Sequence, residues 1–181
     1  MALVSRSFQS LCAAIVLTAA FTLPAYANHN TTYFSIEGAA LNVDSNSLGT
    51  SFDPFGVRVK VGTRLSKAFD VEAQFTTSSD DSNDLLEELD ATLAGVYLKG
   101  YLPLGFRSSL YALGGYSWAR FATLSFDQEI IDRQSGFSYG FGLETQLSKN
   151  IDLSADFTSY SQEGGVYDDV SSVNFGIKVY F

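Results

Sequence analysis

Hydrophobic and polar residues alternate along most of this chain. The pattern is clearest where Phe55, Val57, Val59, Val61, Thr63 and Leu65 alternate with Gly56, Arg58, Lys60, Gly62 and Arg64. A period of two marks a strand with one apolar and one polar face. The same rhythm runs through Thr32–Val43, Ala68–Thr77, Ala91–Leu104, Ser108–Phe121, Gly136–Leu147 and Ile151–Tyr160. It returns at the end, where Val173, Phe175, Ile177, Val179 and Phe181 alternate with Ser172, Asn174, Gly176, Lys178 and Tyr180. Eight strands are therefore predicted, each near the length a tilted strand needs to cross a bilayer. In the fifth, Ser108–Phe121, both faces are apolar or small, and Arg120 assigns its inward face.

The connections alternate in length. Ser66-Lys67, Pro103 to Arg107, and Ser148-Lys149-Asn150 are short, whereas 44–54, 78–90, 122–135 and 161–171 are long. Short turns at one end and long loops at the other fit an all-β, eight-stranded antiparallel up-and-down transmembrane barrel. A soluble sandwich or lipocalin-like barrel would share the strand rhythm. The placement of charge separates the two readings.

The polar strand faces carry six acids, Glu37, Asp70, Glu72, Glu144, Asp152 and Asp156, and six bases, Arg58, Lys60, Arg64, Lys99, Arg120 and Lys178. Three more bases, Lys67, Arg107 and Lys149, fall one in each short turn, and the remaining acids gather in the long loops. This favours an inside-out protein, with apolar faces toward lipid and a balanced charge network in the lumen. Eight strands enclose an interior that side chains can fill, and pairing offsets the cost of desolvating each charge. Glu37, Lys60 and Lys178 are expected to cluster, because the first strand should pair with both the second and the eighth. Trp118, Phe121, Phe137 and Tyr139 are expected to form one interfacial girdle, and Tyr101, Phe106 and Phe181 the other.

The N-terminal segment adds the compartment. Arg6, an apolar run from Leu11 to Phe21, and the Ala25-Tyr26-Ala27 site read as a secretory signal peptide over residues 1–27, with a barrel domain over 28–181. The only cysteine, Cys12, lies inside that leader behind Leu11, so neither a lipid anchor nor a disulfide is expected. The mean hydropathy of +0.08 suits one apolar and one polar strand face. A net charge of −9 disfavours nucleic acid as a partner.

Signal peptide, eight strands, long outer loops and a terminal Phe181 together resemble the small outer-membrane barrels that include the OmpA transmembrane domain, OmpX and Ail. The resemblance implies a Gram-negative outer membrane, both termini in the periplasm, and Phe181 as part of the signal read by the barrel-assembly machinery. Outer-membrane lipid and lipopolysaccharide are the implied surroundings, and a monomer the implied state. It does not imply cell-wall anchoring, which OmpA owes to a further periplasmic domain.

Enzymatic relatives carry a histidine near the external rim, but the single histidine here, His29, falls at the other end. No catalytic residue, cofactor or metal site is expected. The acidic run Asp80, Asp81, Asp84, Glu87, Glu88 and Asp90 lacks the mid-loop glycine and ligand ladder of an EF-hand, and it reads as a solvated loop. Gly114-Gly115 and Gly164-Gly165 read as packing and turn glycines. The expected function is structural or surface-interactive, in adhesion or membrane stabilisation. A narrow pore or small-molecule channel is the alternative, and a lipid-modifying enzyme a remoter one.

Overall fold

Eight long antiparallel strands close on themselves into a barrel. They are β1 (Thr32–Ser45), β3 (Phe55–Arg64), β4 (Phe69–Asp80), β5 (Glu88–Gly105), β6 (Ser108–Ser125), β7 (Gln128–Gln146), β8 (Ile151–Ser161) and β9 (Asp169–Tyr180), and a short β2 (Thr50–Phe52) folds back on the end of β1. The computed structural model describes residues 31–45, 50–80, 88–105, 107–125, 128–161 and 169–181. The expected leader, His29, Phe106, Gly164-Gly165, and Asp81, Asp84 and Glu87 of the acidic run lie outside these residues.

Each long strand pairs with the next in sequence, and β1 also pairs with β9. Glu37 stands opposite Arg58 on one side and Gly176 on the other. Closure removes the unpaired edges that an open sheet would expose.

Two of the short turns use the same residues. Leu65-Ser66-Lys67 and Leu147-Ser148-Lys149 both follow the last paired residues of a strand. In each, two successive amides donate to one carbonyl: Leu65 and Ser66 to Phe69, and Leu147 and Ser148 to Ile151. The Ser66 hydroxyl accepts from the amides of Ala68 and Phe69, and the Ser148 hydroxyl from that of Asn150. This is the local bonding that makes serine a turn former. Between β5 and β6 the chain turns at Gly105, whose φ of +93° belongs to glycine.

The strands extend well beyond the alternating segments. β5, β6 and β7 are 18, 18 and 19 residues long. The segment 122–135, expected as a loop, instead forms two arms of a hairpin paired as far as Ser125 with Gln128. Its sequence hides this, because Phe121-Ala122 put apolar residues on both faces where the segment begins and interrupt the period of two.

The outer wall is apolar. Ile36, Val57, Val96, Leu98, Phe141, Leu143, Phe175 and Ile177 are all exposed there. A continuous belt of this kind is stable only against lipid or another apolar partner. Inside, large side chains sit opposite glycines. Tyr111 faces Gly142, where a β-carbon would lie 2.5 Å from the tyrosine ring, and Tyr97 faces Gly115, where it would lie 2.1 Å from the Val96 carbonyl oxygen. These glycines give the aromatic rings room inside a narrow barrel.

Three sequence assignments are corrected here. On β6 the buried residues are Tyr111, Leu113, Ser117, Ala119 and Phe121. Phe121 therefore belongs to the interior rather than to a girdle, and Arg120 belongs to the outer wall, in the same row as Tyr116 and Trp118. An arginine tolerates that wall because it sits near the rim, where lipid gives way to headgroups. Tyr101 also points inward, its hydroxyl donating to Asp70 at 2.8 Å.

Candidate functional site

The interior is built in layers. In the middle layer, Glu37 of β1, Arg58 and Lys60 of β3, and Asp156 of β8 alternate in sign. Arg58 Nη2 lies 2.5 Å from both Glu37 Oε2 and Asp156 Oδ1. Lys60 Nζ lies 2.8 Å from Glu37 Oε1 and 2.9 Å from Asp156 Oδ2. Neutral donors complete the shell: Ser154 donates to Glu37, and Tyr111 and Asn174 donate to Asp156. Two acids and two bases thus share one closed set of bonds. The Arg58 side chain is 0% exposed and that of Lys60 1%, so both charges are almost wholly withdrawn from water.

The layer toward the short turns holds a second set. Glu144 Oε1 receives both Lys99 and Lys178 at 2.5 Å. Glu72 accepts from the Tyr33 hydroxyl at 2.7 Å and from Gln74 at 2.6 Å, with Lys99 3.8 Å away. The ammonium of Lys99 lies over the Tyr111 ring at 3.6 Å, and that of Lys178 over the Tyr33 ring at 4.1 Å. Aromatic faces suit such desolvated cations. At the mouth below, Arg64 pairs with Asp70 at 3.1 Å and stacks over Tyr101 and Tyr180. Asp152 is half-buried beside them, on the wall of a hollow of about 400 Å³ that also includes Lys67 and Arg107.

The layer toward the loops is largely apolar, with Thr76, Ser78 and Gln134 buried among its residues. Leu41, Val43, Leu93, Ala119, Phe121 and Val170 pack together there, with Tyr97 and Tyr160 beneath them. The lumen expected from the sequence is a charge network, and this plug lies beyond it. One signal for it was present: Leu41 and Val43 continue the polar face of the first strand as apolar residues.

Nine of the twelve charges assigned to the lumen are therefore buried inside, Arg64 and Asp152 line the mouth, and Arg120 lies outside. The expected cluster is also redrawn. Glu37 and Lys60 do pair, but Lys178 stands opposite Ser35 and reaches Glu144 instead. The stagger between strands carries it one layer down. Among the described residues, no group of three or more His, Cys, Asp or Glu side chains is placed to hold a metal ion.

A closed barrel with a lipid-compatible wall and a charge-paired interior defines a transmembrane β-barrel. A family model described as the outer membrane protein beta-barrel domain matches residues 13–181. The chain belongs to that family, and it is an outer-membrane β-barrel protein. Sequence comparison with curated proteins gives no match.

Several solved structures share the fold. Ail, the attachment invasion locus protein of Yersinia pestis, superposes with a TM-score of 0.66 at 18% identity, over 85% of this chain and 100% of that one. Neisserial surface protein A gives 0.72 at 16% identity, over 83% and 97%. The N-terminal β-barrel domain of Pseudomonas aeruginosa OprF gives 0.57 at 15%, over 81% and 97%.

Proposed function

We propose that this protein is a non-catalytic component of the outer membrane, with a membrane-stabilising or surface-interaction role and a sealed lumen. The observation that carries this reading is the paired interior. Its charges are engaged with one another and an apolar plug lies above them, which favours a rigid strut over a conduit. A Gram-negative outer membrane with both termini in the periplasm puts the loop end outside, where surface contacts are made. Removal of residues 1–27, recognition of Phe181 by the assembly machinery, a monomeric state, and lipid and lipopolysaccharide as neighbours complete the proposal. Ail, which shares the fold, has been crystallised with the heparin analogue sucrose octasulfate. That supports surface interaction as the kind of role this scaffold carries.

Planar-bilayer recording tests the sealed lumen. The expected result is little or no steady conductance from the wild type. Large, stable channels would overturn the reading in favour of transport.

A further inference from the structure

Two arginines face each other on the outside of the barrel. Arg120 of β6 and Arg133 of β7 are direct cross-strand partners. Their buried neighbours Ala119, Phe121 and Gln134 point inward, so both guanidinium groups belong to the outer wall. Like charges placed directly opposite one another in a ladder repel. The ion pairs formed among the described residues all lie in the interior or at the lower mouth. Arg120 Nε is buried, with no hydrogen-bond partner among the described residues. Asp90 stands on the same wall one step nearer the loops, opposite Ala122.

The height of this pair is set by its neighbours. Trp118 lies two residues back on the same face, its ring 5.3 Å from that of Tyr116, and the Tyr116 hydroxyl shares a hydrogen bond with Ser135. Trp and Tyr mark the boundary between hydrocarbon and headgroups. Two residues further along a strand is roughly 6–7 Å, which puts the arginines at the level of phosphates. Between them and Trp118 is a hollow of about 380 Å³ on the outer wall, bordered also by Thr92, Ala94 and Ser135.

We propose that this hollow seats a phosphate group of a phosphorylated glycolipid in the external leaflet. Guanidinium groups fit phosphate oxygens in a fork, with charge-assisted bonds. An anion between the two arginines would turn their repulsion into a shared attraction. The hollow lies against an apolar wall rather than over the lumen, so it suits a headgroup carried on acyl chains better than a free ion. The proposal rests on the loop end being external, as argued above.

The test uses the folded protein in detergent, with bound lipid read by native mass spectrometry. Probes are bis-phosphorylated lipid A, dephosphorylated lipid A and phosphatidylglycerol, with inorganic phosphate as competitor. Heat-modifiable migration confirms that each variant is folded. The wild type should retain phosphorylated lipid A, and the R120Q/R133Q variant should bind it roughly tenfold or more weakly. R120K/R133K, which keeps charge but loses the forks, should fall between. Dephosphorylated lipid A should bind the wild type as weakly as the glutamine variant binds the phosphorylated form.

Equal retention by wild type and R120Q/R133Q would overturn the site. Phosphatidylglycerol held as tightly as lipid A, or displacement by millimolar inorganic phosphate, would overturn the glycolipid assignment. Orientation is read separately by labelling Asp53→Cys on intact cells with an impermeant maleimide. An unlabelled cysteine would put this rim in the inner leaflet and overturn the glycolipid assignment on its own. Labelling combined with equal lipid retention would reject the site and leave the orientation standing.

Discussion

Arg58 illustrates what a charge needs in this interior. Withdrawing it from water costs several kcal/mol, which only close, complete pairing offsets. It has that pairing from Glu37 and Asp156, with further contacts to Gln74 and Thr158. Removing one partner should therefore hurt more than removing two. Glu37→Ala is expected to lose about 3–5 kcal/mol of folding free energy in a urea titration in lipid vesicles. Glu37→Ala combined with Lys60→Ala should lose clearly less than the sum of the single losses, as groups sharing one network do. Additive losses would show that the network does not act as a unit. The sequence could nominate these residues because a charge on the polar face of a strand has few other places to go. It could not name their partners, since Lys178 finds Glu144 through the stagger of the barrel, which no local pattern contains. Arg120 fails differently: one charge on a strand apolar on both faces does not decide which face is inward.

At the scale of the strand, packing is set by the pairing of large with absent side chains. Tyr111 with Gly142 and Tyr97 with Gly115 are direct cross-strand neighbours pointing inward. Gly115→Ala would bring a methyl group to 2.1 Å from the Val96 carbonyl, a backbone atom that cannot rotate away. This single methyl is expected to shift the urea midpoint down markedly, while Gly114→Ala, where the new methyl would meet only the Phe137 ring at 3.5 Å, should shift it little. The outer wall gives the opposite test. Val96 is half-exposed toward lipid, and Val96→Arg should cost about 2–4 kcal/mol in vesicles. Equal tolerance of Val96→Arg and Val96→Leu would argue against a membrane belt. Strand identity was legible wherever one face is apolar and the other polar. Strand length was not, because toward the loops the interior is apolar too, and backbone pairing continues after the pattern has stopped.

For the molecule as a whole, the layered interior joins stability to impermeability. Glu37→Ala is expected to add brief flickering currents to an otherwise quiet bilayer recording, because it opens the middle layer without removing the apolar layer above. Phe181→Ser should leave synthesis intact but deplete the heat-modifiable form in outer membranes, if Phe181 acts mainly as an address. The seam between β1 and β9 allows that address to be separated from the fold. The Phe181 amide donates to the Thr32 carbonyl at 3.0 Å, so the two ends of the barrel are one hydrogen bond apart. Covalently, the barrel is a ring with a single nick. A circular permutant that joins Phe181 to Thr32 through a few glycines, and opens instead between Ser66 and Lys67, keeps every strand pairing while moving the terminal aromatic into mid-chain. It should refold in detergent as the wild type does yet fail to accumulate in cells.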